Sequence, residues 1–374
     1  MSGMEIEELI LINESTHFIN MTTMEMTSSS PRYISLMDQV FSMAQLVPIL
    51  ILFGVFMIFG MLANAVTFIV ISNSKKTAFN VFIMSLCVSD FLSAVNSPLI
   101  VYRALKAFDD YRLPVFFCKL GLSIDYWTSI STIQHILIFS FLRLYCIKFP
   151  HKFNRITVNG STISIVIIWF ETFFVGFLVY MLWPDVQYLP DTIPPRFKCG
   201  MTRAWAPTMF QYAMIAFPIF IYAPMVLILL TCLAVAIVLL QRRRDKEIGG
   251  RVGSKKERFA LLQLALIVIS FLIGYSADAS YRVTAISSIQ RGKPISARTE
   301  LIYSLISHCL LRLSECLNPI FYNFSSSELR SATKKYILQK FETISSSKIG
   351  PLDTTKKHQS SDTGTTSKRI SSST

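Results

Sequence analysis

Long apolar runs dominate the chain. They fall near 46–72, 79–105, 115–147, 161–183, 207–241, 257–286 and 300–323. Each is long enough for the ~20 residues with which a helix crosses a hydrocarbon core, where every backbone polar group must be satisfied within the segment. The pattern predicts an all-α membrane protein, a bundle of seven spans. The last two are less apolar, because Asp278, Arg282, His308, Arg312 and Glu315 interrupt them. Charged groups are costly in lipid, so these residues are expected to face the bundle.

Between the spans, basic residues gather in short links. Arg242, Arg243, Arg244, Lys246, Arg251, Lys255, Lys256 and Arg258 crowd the link between the fifth and sixth spans, and Lys75, Lys76, Lys148, Lys152 and Arg155 flank earlier ones. Such links read as cytoplasmic. With seven spans the amino terminus then lies outside, where Asn13-Glu14-Ser15 and Asn20-Met21-Thr22 make Asn13 and Asn20 candidates for glycosylation. Asn159 and Asn323 fall on the inner side and are expected to stay unmodified. The acidic first residues and the short apolar stretch Leu9–Ile12 do not resemble a cleavable leader, so the first span is expected to start transfer. The expected organisation is an outer segment 1–45, a membrane domain 46–323, a membrane-surface helix 324–340 and a disordered Ser/Thr/Lys-rich cytoplasmic tail 341–374.

Composition agrees with this picture. Hydrophobic residues make up 52% of the chain and charged ones only 16%, which excludes the ordinary soluble enzyme. The formal net charge of +13 sits beside the spans and not on a soluble domain, so no nucleic-acid partner is implied. Of seven cysteines, only Cys118 and Cys199 are expected outside, where oxidation is permitted, and they are paired on that ground; two free outer thiols are the alternative.

Helical phase sorts the polar positions. Steps of seven and eleven residues come close to whole turns. In the third span Cys118, Asp125, Thr132 and Arg143 therefore form one stripe, with Asp125 about 27 Å from Arg143 along the axis. His308, Arg312, Glu315 and Pro319 share one face of the seventh span. Asp90 and Asn64 add polar groups at mid-membrane depth.

From about Gly60 to Arg330 the chain resembles the rhodopsin-like G-protein-coupled receptors. Asn318-Pro319-Ile320-Phe321-Tyr322 matches NPxxY, Leu86 and Asp90 match LxxxD, and Cys118 precedes Arg143 by twenty-five residues, the family's spacing from clasp cysteine to DRY arginine. Asn64, Trp169, Ile147, Pro150 and Cys199 fit further family positions, and Glu328-Leu329-Arg330 falls where the family carries an amphipathic surface helix. There are departures. DRY appears as Leu142-Arg143-Leu144 and the sixth-span CWxP as Gly274-Tyr275-Ser276-Ala277; the fifth-span proline is Pro218 or Pro224, and with Pro224, which leaves the usual helix length before Arg242, Cys232 replaces the usual tyrosine.

The resemblance implies a plasma-membrane receptor without catalytic residues, reading an extracellular ligand and activating a heterotrimeric G protein, with arrestin as a further partner through the Ser/Thr-rich tail. It implies a ligand pocket from Asp125, Tyr126, Tyr275, Asp278, His308 and Arg312, and a sodium site from Asp90 with Asn64, Thr132, Ser314, Glu315 and Asn318, to which a hydrogen-bonded polar knot without an ion is the alternative. It also implies a coupling and switch region from Arg143, Pro319 and Tyr322; Glu257 is either the acid replacing Leu142 beside Arg143 or a surface residue without a partner. Asp125 has two readings: an anchor for a ligand amine, or a buried partner of Arg312. Ala216, Phe220 and the pair Asp278-Ala279 disfavour a catecholamine, and a small amine or a neuropeptide remains. A transporter or channel is the rival class, but no internal repeat supports it.

Overall fold

The computed structural model describes residues 40–106, 110–153, 156–189, 196–202, 204–247, 255–291 and 295–348. Its long helices are α1 (Met43–Ser72), α2 (Ala78–Lys106) and α3 (Val115–Lys148), with the short α4 (Pro150–Phe153) after them. The fourth span is α5 (Val158–Thr172), a π-helical segment Phe173–Leu178 and α6 (Val179–Leu182). Strands β1 (Pro184–Leu189) and β2 (Arg196–Met201) follow. The fifth span is α7 (Ala206–Phe217), a second π segment Pro218–Tyr222 and α8 (Ala223–Glu247); then come α9 (Lys255–Gln290), α10 (Ala297–Ser325) and α11 (Ser327–Lys348).

Among the described residues six helices are long and apolar enough to cross a membrane, and α10, which carries Arg312 and Glu315, falls outside that group. Many of their large apolar side chains point outward: Ile51, Leu62, Ile163, Val166, Phe170 and Ile215 are more than 60% exposed, as suits a surface facing lipid tails instead of water. The polar residues do the opposite. Asn64, Asp90, Asp125, Asp278, Arg282, Arg312, Glu315 and Asn318 are all buried.

Contacts divide the chain into a unit up to Thr333 and one from Lys334. Within the first, α1 packs on α2, α2 on α3, α3 on α8, α8 on α9 and α9 on α10, and α10 returns to α1, closing a ring. α3 runs through the interior, touching the second, fourth, fifth and sixth spans. Its buried Ile130, Ile133, Ile136 and Phe139 join Leu86, Ile228, Leu264, Phe271 and Tyr322 in the main apolar core. In the second unit, α11 carries Ile337, Leu338 and Phe341 as exposed apolar residues beside Lys334, Lys335 and Lys340.

Two π segments have local causes. Pro224 has no N–H to give the carbonyl four residues back, that of Phe220. That oxygen instead accepts from Gln134 Nε2 of α3 at 3.5 Å. In the fourth span the Val175 carbonyl accepts from the Tyr212 hydroxyl. Gly176 lies against the α3 backbone: a Cβ there would stand 2.8 Å from Trp127 Cα and 2.9 Å from Trp127 N.

The all-α expectation needs one correction. The loop after the fourth span forms an antiparallel hairpin pairing Val186 with Cys199 and Tyr188 with Phe197. Its polar and apolar residues alternate, the period of a strand. Cys118 and Cys199 are disulfide-bonded, with Cα atoms 5.9 Å apart, which ties the hairpin to the start of α3. Tyr111 N donates to the Phe197 carbonyl at 2.8 Å, a second tie.

Candidate functional site

The α3 stripe delivers Asp125 to α10. Arg312 Nη2 donates to Asp125 Oδ1 at 3.0 Å, while its Nη1 donates to Glu315 Oε2 at 2.7 Å. All three side chains are buried, so the pairing is a condition for keeping these charges in the bundle at all. The other Glu315 oxygen accepts from Ser93 Oγ at 3.0 Å. One turn further along α10, Asn318 Nδ2 donates to Asp90 Oδ2 at 2.9 Å. Ser93 and Asp90 are three residues apart on α2, so α2 and α10 share two polar rungs and α3 and α10 share a third.

A second charged pair sits higher in α9. Arg282 binds Asp278 with Nε–Oδ2 at 2.6 Å and Nη2–Oδ1 at 3.1 Å, the bidentate fork that suits a guanidinium and a carboxylate. Its guanidinium lies 4.2 Å from the Tyr126 ring centroid and 5.3 Å from that of Phe217. Tyr126 in turn stacks on Tyr180 at 3.6 Å. Asp125 and Tyr126, neighbours in sequence, thus lead into two different arginine clusters. The sequence reading named Arg282 as bundle-facing but omitted it from the pocket. Its i,i+4 spacing from Asp278 was the available signal.

Of the other expected pocket residues, Tyr275 is buried and packs on Phe271 at 4.5 Å, in the place of the family's tryptophan. His308 is half-buried, with Nδ1 2.8 Å from the Ser304 carbonyl of its own helix. It joins neither arginine cluster. Gly274 allows α9 to approach α10 closely, since a Cβ there would meet Ser314 Cβ at 2.8 Å and the Leu310 carbonyl at 3.0 Å.

At the other end of α3, Arg143 Nη2 donates to Gln263 Oε1 of α9 at 3.2 Å, and its guanidinium lies 3.9 Å from the Phe79 ring centroid. Sequence reasoning did not single out Gln263. The side chain of Glu257, the expected partner, lies outside the described residues, as do Asn13 and Asn20. Pro319 is inside α10, and Tyr322 is fully buried beside a small cavity lined by Phe82, Leu86, His135 and Ile267. His135 also escaped notice. Its Nε2 is 2.7 Å from Ser85 Oγ, which accepts from Trp169 Nε1 at 2.8 Å, joining the second, third and fourth spans.

The residues implied for a sodium ion take part in separate hydrogen bonds. Glu315 is engaged by Arg312 and Ser93. Thr132 Oγ1 pairs with Ser89 Oγ at 2.9 Å, and Ser314 Oγ faces Ser270 Oγ at 3.5 Å. Asp90 Oδ1 and Asn64 Oδ1 are the buried oxygens of this group left without a hydrogen-bond partner.

The family model for the 7 transmembrane receptor (rhodopsin family) matches residues 63–322, from Asn64's turn of α1 through Tyr322. The chain belongs to this family. The receptor is 25% identical over 350 residues to human growth hormone secretagogue receptor type 1, covering 87% of this chain and 90% of the relative. It is 25% identical over 323 residues to the neuromedin U receptor homolog nmur-2 of Caenorhabditis elegans, covering 78% and 79%. With the pyrokinin-1 receptor of Drosophila melanogaster the identity is 22% over 358 residues, covering 80% and 81%. It is a G-protein-coupled receptor, a multi-pass plasma-membrane protein that binds an extracellular ligand and activates heterotrimeric G proteins; it is not an enzyme. The transporter or channel reading is not favoured.

Proposed function

We propose that this receptor reads a neuropeptide at the outer end of the bundle, as the names of its growth hormone secretagogue, neuromedin U and pyrokinin relatives suggest. The observation carrying this reading is the closed Asp125–Arg312 pair. An amine receptor needs a carboxylate open to the ligand ammonium, and here that carboxylate already holds a guanidinium at 3.0 Å. A larger ligand, seated beneath the disulfide-tied hairpin, would engage Tyr126, Asp278 and Arg282 and reach Tyr275, His308, Asp125 and Arg312 below them.

In this reading α10 is the seventh span and the amino terminus lies outside. The helix from Ser327 rests on the inner membrane surface, and the tail offers Ser and Thr to arrestin. Ligand favours an arrangement in which the inner ends of α3 and α9 separate, freeing Arg143 from Gln263 to meet the G protein. Pro319 and Tyr322 would move with that separation. The test is a screen of amidated peptides, free-acid peptides and small amines on receptor-expressing cells with a G-protein activation readout. A saturable response to a peptide supports the reading, and a response confined to amines overturns it.

A further inference from the structure

The polar core holds three buried carboxylates, Asp90, Asp125 and Glu315, and a buried guanidinium, that of Arg312. Arg312 bridges two of the three, at 3.0 Å and 2.7 Å. An arginine stays charged at any physiological pH, and its planar fork can serve two carboxylates at once. It is anchored on α10 only two turns from Asn318, about 9 Å along the axis, and Asn318 holds Asp90. The cation this core needs is therefore already covalently present.

We propose that Arg312 is a built-in counter-ion standing where the family resemblance implies a sodium ion, so that the receptor's stability and basal signalling do not depend on sodium. Three features agree. Glu315, one of the acids implied for the ion, has one oxygen on Arg312 of its own helix and the other on Ser93 of α2. A second cation would sit near a guanidinium in a low-dielectric interior, where like charges repel far more strongly than in water. And Glu315 supplies a second acid on the face of α10 that carries Arg312, which holds the guanidinium toward the core even when Asp125 is drawn to something else. Sodium would exchange freely with solvent, whereas Arg312 cannot leave, so control passes from ion concentration to whichever carboxylate Arg312 contacts.

The test uses the purified full-length receptor without ligand, so its outcome is independent of the peptide reading. Thermal unfolding is measured at equal ionic strength in sodium chloride and in choline chloride. The wild type is expected to unfold at the same temperature in both. Arg312→Gln should unfold lower in choline and recover several degrees, saturably, in sodium, because Asp125 and Glu315 then lack their fixed cation and a sodium ion can settle between Glu315 and Asp90. Adding Asp90→Asn to that variant should remove the recovery. A saturable sodium stabilisation of the wild type overturns the proposal, and so does an Arg312→Gln receptor that gains nothing from sodium. Should Arg312→Gln fail to purify, Asp125→Asn with Arg312→Gln leaves Asp90 and Glu315 in place and carries the same expectation. Basal G-protein activation by wild-type membranes should likewise be unchanged when choline replaces sodium, and a rise on sodium removal also overturns the proposal.

Discussion

Arg312 Nη2 lies 3.0 Å from Asp125 Oδ1, joining the seventh long helix to the third across the centre of the bundle. Removing one member of a buried pair leaves an uncompensated charge, at a cost of about 3–5 kcal/mol. The two removals should not be equal. Asp125→Asn leaves Arg312 bound to Glu315, whereas Arg312→Gln strands two carboxylates. Arg312→Gln should therefore lower the unfolding temperature and surface expression more than Asp125→Asn, and the double variant should do better than the sum of the single losses. Melting curves and surface labelling of the four receptors measure this coupling. Additive losses would refute it.

Arg143 is expected to be required for coupling, and Gln263 to restrain it. Arg143→Ala should reach the cell surface and lose ligand-independent and ligand-driven G-protein activation. Gln263→Ala should raise basal activation, because it removes a hydrogen bond to a charged group worth about 1.5–3 kcal/mol at most. Nucleotide exchange on a reconstituted G protein reports both. Unchanged basal exchange in Gln263→Ala would count against the restraint.

Arg282 is held by Asp278 in a bidentate fork while its face rests on Tyr126. Arg282→Lys keeps the charge but loses the planar fork. It should weaken ligand potency with surface expression intact, and Tyr126→Leu should lose the cation–π share, on the order of 2 kcal/mol for a desolvated contact. Concentration–response curves for the first active ligand give the comparison.

Gly176→Ala should be poorly tolerated, since its Cβ would press on the α3 backbone at 2.8 Å, and backbone cannot swing aside as a side chain does. Overpacking of this kind costs about 1–3 kcal/mol. Gly200→Ala, where nothing lies within 4 Å, is the control and should express normally.

Topology is checked by sugar. Asn13 and Asn20 should carry all the glycan, so that replacing both by Gln removes the whole mobility shift, while Asn159 and Asn323 contribute none. Sugar on either inner asparagine would invert the proposed orientation.

The pairing of Cys118 with Cys199 followed from their shared place outside the membrane and Asn318 from a family motif, while the chain by itself determined the apolar spans and the inward turn of Asp90, Asp125, Arg312 and Glu315. Each of these rests on a local quantity: the thickness of the hydrocarbon core sets span length, the 3.6-residue period sets facing, and burial of charge is so costly in lipid that polar residues must turn inward. Tertiary structure alone decided the partners. Arg312 faced Asp125 by phase, but that it also grips Glu315 depends on rotamer and on the depth of α10 against α2 and α3. Gln263 at Arg143, Tyr126 beneath Arg282 and Gln134 at the Phe220 carbonyl depend in the same way on how one helix is rotated and shifted against another. Periodicity fixes which face of a helix is buried, but long side chains on that face reach several neighbours, and only the packed bundle chooses among them.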